Sequence, residues 1–269
     1  MNVAAVIQEQ RAALSYYVRN RSAALCFEYS PEDIEGGSAV CIEIENRLFI
    51  ATAAHNFERL REKPNWSVFS ANRSSNSPLT ILQANYSAER QQGESDVAWL
   101  EIDARSAADS DLVGIELEGL CVNPILQPGE VYVATGLPRD LKQIFQEENG
   151  HRNIIMPLGM YFTTVVDADI AAGYGGLIVL DYMKDGVNDK GEPIEVEPYG
   201  MSGGGIWHTS EDAPPEGVWN PQRLQLLGLN REYFRSKGRL TAEPLHAWLT
   251  LLRNDLSELE QAIDPLFQN

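Results

Sequence analysis

The sequence predicts an all-β fold, and three observations carry that prediction. Short runs rich in β-branched and aromatic residues fill the chain from about residue 22 to 235. Gly, Pro, Asn and Asp clusters separate these runs, and helix-period patterning is confined to the two ends. Many short strands bounded by turn signals mark a sandwich or barrel, because such sheets reverse direction often and bury one face of each strand.

Val3, Ile7, Leu14 and Tyr17 recur at roughly helical spacing, which predicts a short helix within an extension over 1–21. Residues 22–115 hold the runs AALCFEY, SAVCIEIE, RLFIATAA, SVFSA, LTILQANY and DVAWLEI, with Glu45-Asn46-Arg47 as a hairpin turn. The acidic, glycine-bearing stretch 106–128 reads as the connection into a second β half, 116–240. That half carries EVYVATG, YFTTVVD, GLIVLDYM, GIWHT and LQLLGLN. Over 241–269 the period changes again. Leu245, Trp248, Leu249, Leu252, Leu256, Leu259 and Ile263 share one helical face, and Thr241 ahead of Pro244 marks the predicted helix start.

Charge and composition narrow the function classes. The chain has 269 residues, with 21 basic against 39 acidic side chains and a net charge of −18. Binding a phosphate backbone needs clustered Lys and Arg, so nucleic acid and anionic membrane are not expected partners. No run of 18 or more apolar residues predicts a membrane span, and the first 22 residues lack a signal-peptide layout. Three cysteines, Cys26, Cys41 and Cys121, are too few and too widely spaced for a disulfide framework or a zinc site. These features point to the cytoplasm. The polar segment 181–200 does not match a calcium loop, since Val187 stands where an oxygen ligand is needed. No metal or cofactor is expected.

Three segments carry chemistry: Thr52-Ala53-Ala54-His55 at the end of an apolar strand, Ser95-Asp96-Val97-Ala98-Trp99-Leu100 at the entry to another, and Gly200-Met201-Ser202-Gly203-Gly204-Gly205-Ile206-Trp207, a glycine-rich turn opening into a third. A serine hydroxyl becomes a useful nucleophile only when an imidazole takes its proton. The imidazole in turn needs a carboxylate on its far nitrogen to fix the tautomer. The oxyanion that develops needs N–H donors aimed at one point, and a glycine two residues before the serine lets the backbone supply them. Each segment alone is a weak signal; the combination, in the order His, Asp, Ser, is stronger.

These motifs, TAAH, SDVAWL and GMSGGGIW, resemble those of the trypsin-like (chymotrypsin-fold) serine peptidases, over roughly residues 22–260. The resemblance implies two packed six-stranded antiparallel β-barrels with the site in the cleft between them, plus a C-terminal helix. It makes His55 the general base, Asp96 its orienting carboxylate and Ser202 the nucleophile, with Gly200 and Ser202 amides forming the oxyanion hole. Gly228, Leu229 and Asn230 would wall the primary pocket and pair with substrate, and Val196 or Glu197 would lie near its floor. Glu195 and Glu197 then suggest a preference for a basic side chain at the cut site.

Departures from the digestive members refine the expectation. Met201 replaces the Asp that pairs with a newly cut N-terminus, and Glu35-Gly36-Gly37-Ser38 stands where an activation sequence would begin. Asn56 follows His55 in place of a disulfide-forming Cys. The pattern is closer to bacterial intracellular members that need no activating cut. The expected function is that of a serine endopeptidase acting on polypeptides. Two alternatives stay open: a latent or non-catalytic protease-fold protein, with a regulatory partner, and a serine esterase. An α/β-hydrolase esterase would order its triad Ser, acid, His and would need His208 or His246.

Overall fold

The computed structural model describes residues 14–30, 33–61, 66–72, 77–87, 95–146, 152–182, 186–188, 190–209 and 224–268. Strands dominate, in two curled antiparallel sheets. The first contains β1 (Ser22–Ser30), β2 (Asp33–Ile44), β3 (Arg47–Thr52), β4 (Trp66–Ser70), β5 (Ile81–Tyr86) and β6 (Ala98–Ile102), in the order β4-β1-β2-β3-β6-β5. The second is built from β7 (Tyr132–Gly136), β10 (Gly159–Thr163), β11 (Ile178–Asp181), β12 (Val187–Asn188), β13 (Gly205–Thr209), β14 (Leu224–Phe234) and β15 (Arg239–Pro244), in the order β11-β15-β14-β13-β7-β10-β12. β8 (Gln143–Gln146) and β9 (Arg152–Ile155) form a separate hairpin.

The all-β expectation is met, with one correction to the strand count. The second sheet has seven strands rather than six, because Val187 and Asn188, inside the polar segment 181–200, pair with Phe162 and Tyr161 at its edge. Two residues flanked by polar loop residues give too short a pattern to be read as a strand.

Strand alternation explains why the runs are apolar nearly throughout. Successive side chains point to opposite faces, and here both faces are covered. In β2, Ala39 and Cys41 pack inside the first sheet, while Val40, Ile42 and Ile44 face a core shared with the second. β3 and β6 divide the same way: Ile50 and Leu100 point inward, Phe49, Ala51 and Trp99 to the shared core. The second sheet encloses Tyr132, Tyr161, Leu180, Tyr182, Ile206 and Leu227. Between β2 and β3, Glu45 (φ 51°) and Asn46 (φ 61°) are both left-handed, the requirement of a two-residue type I′ hairpin turn, and Ile44 pairs with Arg47 across it.

The chain ends pack on the shared core. Residues 14–19 are helical, with Leu14 and Val18 buried and Tyr17 edge-on to Trp207; the rest of the predicted N-terminal helix lies outside the described residues. The C-terminal helix α1 (Leu245–Asp255) buries Leu245, Trp248, Leu249 and Leu252. It begins four residues later than expected from Thr241, which instead lies in β15 and pairs with Glu232 of β14. Pro244 explains the shift, since a residue preceding proline is driven out of the helical region and keeps the chain extended through Glu243. Trp248 Nε1 donates to the Ala98 carbonyl (3.0 Å) and Trp99 Nε1 to Asp255 (2.7 Å), tying α1 to β6. Among the described residues no helix is long and apolar enough to cross a membrane.

Candidate active site

A cleft of about 770 Å³ opens between the two sheets. His55, Asp96, Gly200 and Ser202 all line it, so residues far apart in sequence meet at one place. His55 lies in the first turn of a short helix, Ala54–Arg61, that leaves the end of β3. Asp96 sits just before β6, the neighbour of β3, so strand pairing alone brings the two together. The contact is double: His55 N–H donates to Asp96 Oδ1 (3.0 Å), and His55 Nδ1 lies 2.7 Å from Asp96 Oδ2. The carboxylate is buried and the imidazole nearly so (7% and 12% side-chain exposure), which leaves the pair little water to compete with it. One face of the ring is thereby fixed, and Nε2 is the nitrogen left for proton exchange.

Ser202 lies in the turn before β13. Its Oγ donates to the Arg231 carbonyl at 3.2 Å, and among the described residues no hydrogen bond joins it to His55. The backbone around it is held at every carbonyl. Pro198 O accepts Met201 N–H (3.0 Å), and Tyr199 O accepts Arg139 N–H (2.7 Å). Gly200 O accepts Ser38 Oγ–H (2.7 Å), and Met201 O accepts Gly204 N–H (2.9 Å). Ser202 O accepts both Ser38 N–H (2.9 Å) and Asn56 Nδ2–H (2.7 Å). In a trans peptide the carbonyl and the next N–H point in opposite directions. Anchoring Tyr199 O and Met201 O therefore leaves Gly200 N–H and Ser202 N–H on the other edges of their peptides, and among the described residues no backbone carbonyl accepts either. Gly200 adopts φ +91°, where a side chain would be strained and its Cβ would lie 2.7 Å from Leu137 O.

A second carboxylate stands behind the pair. Glu243, on β15, is 4% exposed, and its Oε1 accepts Asp96 N–H (3.0 Å) and the Arg231 guanidinium (2.5 Å). Burial holds the Glu243 carboxyl above the ordinary range, more than Asp96 N–H and Arg231 lower it. Arg231 occupies a bulge where the β14–β15 register shifts between Asn230 and Glu232. It thus reaches both halves of the site: its side chain binds behind Asp96, and its carbonyl receives Ser202 Oγ.

The expected pocket residues are placed differently from His55, Asp96 and Ser202. Leu229 is in the shared core, and Gly228 faces Pro244 across β14–β15. Asn230 is buried, its amide donating to Thr135 O (2.8 Å) and Met201 O (3.3 Å). None of these three lines the cleft; Arg231, Glu232 and Tyr233, the next residues of β14, do so with Pro198, Tyr199 and Leu240. Val196 and Glu197 are also outside the cleft lining, and Glu197 is ion-paired with Arg235 at 2.6 Å. Ser38, Arg231 and Glu243 had no motif to mark them, and Asn56 stood out only as the residue where a Cys would be expected.

No protein-family model and no curated protein matches this chain. Solved structures do. A thermostable serine protease, AL20, from an extremophilic microorganism is similar over 85% of this chain and 92% of its own, with TM-score 0.53 and 15% identity. The protease Anisep from Arthrobacter nicotinovorans is similar over 84% and 90%, with TM-score 0.51 and 12% identity. The fold is that of the trypsin-like serine proteases. A serine endoprotease from Yersinia pestis is also similar, at 16% identity and TM-score 0.48, and this chain spans 66% of its length.

Proposed function

We propose that this trypsin-like-fold chain is a serine endopeptidase, with His55, Asp96 and Ser202 as its catalytic triad. The observation that carries this reading is the double hydrogen bond between His55 and Asp96, facing Ser202 across one cleft. In the acylation step Ser202 Oγ attacks the scissile carbonyl carbon and its proton passes to His55 Nε2. The tetrahedral oxyanion is received by Gly200 and Ser202 N–H groups. Collapse breaks the C–N bond, the proton moves from His55 to the leaving amine, and an ester to Ser202 remains. Water, activated by the same imidazole, then attacks that ester to release the acid and restore Ser202. Asp96 holds the ring and stabilises the imidazolium without itself taking the proton.

The substrate in this reading is a polypeptide, and neither nucleic acid nor membrane is a partner. The setting is cytoplasmic, which the free thiols of Cys26, Cys41 and Cys121 fit; burial pushes the Cys26 thiol up to about 12, so it stays protonated and inert.

Labelling with a fluorophosphonate, followed by peptide mapping, tests the mechanism. One adduct on Ser202, absent in both Ser202→Ala and His55→Ala, is the expected result; an unlabelled wild type overturns it. A second reading has its own observation, the Ser202 Oγ bond to Arg231 O. In that reading the chain is latent until a regulatory partner or substrate strand takes the Arg231 carbonyl, and labelling would need that addition. The esterase order has no such support, since neither His208, stacked on Tyr132 and 3.1 Å from Glu130, nor His246 lines the cleft.

A further inference from the structure

The triad explains which atoms react but not what keeps the nucleophile turn in shape, given that Met201 offers no charge to anchor it. The shape matters, because an oxyanion hole works only when its donors are preorganised, and a fraction of an ångström of drift weakens it. We propose that Ser38, on β2, and Asn56, on the short helix that follows β3, are positioning residues that hold this turn before β13 in its working form.

Ser38 contributes twice. Its backbone N–H donates to Ser202 O, and its hydroxyl donates to Gly200 O while accepting Leu137 N–H (2.8 Å). One hydroxyl therefore uses its proton and a lone pair to bridge two segments of the second sheet. Asn56 adds the second donor to Ser202 O, and its amide is steadied by Thr52 Oγ1 (3.2 Å). Thr52 Oγ1–H in turn donates to Ser38 O (2.7 Å), so Ser38, Thr52 and Asn56 form one polar network, closed through Ser202 O, with no charged member. Both residues are buried, Ser38 at 1% and Asn56 at 7% exposure, where a lost partner is not replaced by bulk water. Gly37 makes room for the arrangement: a Cβ there would lie 2.4 Å from the Asn56 amide.

The consequence is an oxyanion-binding turn set by the fold itself, with no need of a newly cut N-terminus. Gly200 O and Ser202 O belong to the peptides that follow Gly200 and Ser202, so holding both pins the two residues whose N–H groups would form the hole, while Tyr199 O and Met201 O are held from within the second half. The network also spans both sheets, so it fixes the turn relative to His55 as well as internally.

This inference rests on the serine endopeptidase reading. Wild type, Ser38→Ala, Ser38→Thr and Asn56→Ala are compared on a peptide substrate for kcat and KM. Two inhibitors of the same peptide sequence are added: an aldehyde, whose adduct needs the oxyanion hole, and an alcohol, which does not. Thermal unfolding checks that each variant is folded. Ser38→Ala and Asn56→Ala are each expected to lower kcat about tenfold or more and to weaken the aldehyde by a similar factor. KM and alcohol affinity should stay within about twofold, and Ser38→Thr should keep most of the activity. Folded variants with wild-type kcat and aldehyde affinity overturn the inference while leaving the peptidase reading intact. Equal weakening of aldehyde and alcohol also overturns it, because the cleft rather than the hole would then be disturbed. Should Ser38→Ala not fold, Asn56→Ala carries the same expectation. Wild type that neither cleaves nor is labelled overturns the peptidase reading first, and the preformed turn with it.

Discussion

The two walls of the cleft stand at different stages of readiness. On the first-sheet wall His55 and Asp96 are already joined by two hydrogen bonds, side chain and backbone together. On the second-sheet wall the backbone is held at five successive carbonyls, while the Ser202 hydroxyl points to Arg231 O. The difference lies in what each wall must do. An imidazole is useful only in one tautomer and orientation, so its partner has to be in place beforehand. A serine side chain turns about one bond between staggered wells, so its last adjustment is small once the backbone is fixed. Order is placed where rearrangement is expensive, and left out where one rotation completes the geometry.

Breaking the finished wall should have the largest effect. In Asp96→Asn the two backbone and side-chain positions survive, but the amide favours the wrong imidazole tautomer. A fall in kcat of about 10⁴-fold is expected, with KM little changed, read from steady-state peptide hydrolysis. Loss of less than tenfold would mean that the His55–Asp96 pair is not the working one.

The other wall is tested through its backbone. Gly203 has φ +84°, and a Cβ there would come within 2.2 Å of both Ser38 O and Thr52 Oγ1. Gly203→Ala is expected to destabilise the protein by about 1–3 kcal/mol or more, visible as a lower Tm. A variant as stable as wild type would show that this turn is far less constrained than its hydrogen bonds imply.

The smallest effect concerns Glu243, which touches both walls through Asp96 and Arg231. Its carboxyl is held above the ordinary value of 4.5, so the folded chain binds this proton more tightly than the unfolded chain does. The stability it adds is full below the unfolded value and is lost as pH rises through the folded one. Glu243→Gln keeps an acceptor for Asp96 N–H and removes the titration. The difference in unfolding free energy, wild type minus variant, should therefore fall as pH is raised from about 4 toward 7. A flat or rising difference would show that Arg231 outweighs burial.

Local patterns made much of this legible. The strand runs, the hairpin at Glu45-Asn46 and the apolar face of α1 are features of neighbouring residues, and they could be read one segment at a time. His55, Asp96 and Ser202 each lie in a short recognisable segment, and the structure brings all three to one cleft. The residues around them were not legible, because their roles depend on distant partners. Ser38 bonds Gly200 across 162 positions, and Asp96 bonds Glu243 across 147. Which part of β14 lines the cleft was not legible for a related reason. A bulge at Arg231 moves the cleft-facing part of β14 beyond Asn230, and a bulge leaves no mark in an alternating pattern. Glu197 shows the same limit, since its charge is plain in the sequence but its partner Arg235 is across a long excursion of chain.

The helix α1 gives this layout an order in time. It follows both sheets along the chain, yet its Trp248 and Asp255 bond to β6 and its apolar face completes the core the sheets share. A ribosome has therefore made His55, Asp96 and Ser202 well before it makes the piece that sets their two walls against each other. A nascent chain that already holds His55, Asp96 and Ser202 would still lack the helix that completes the core between the sheets carrying them.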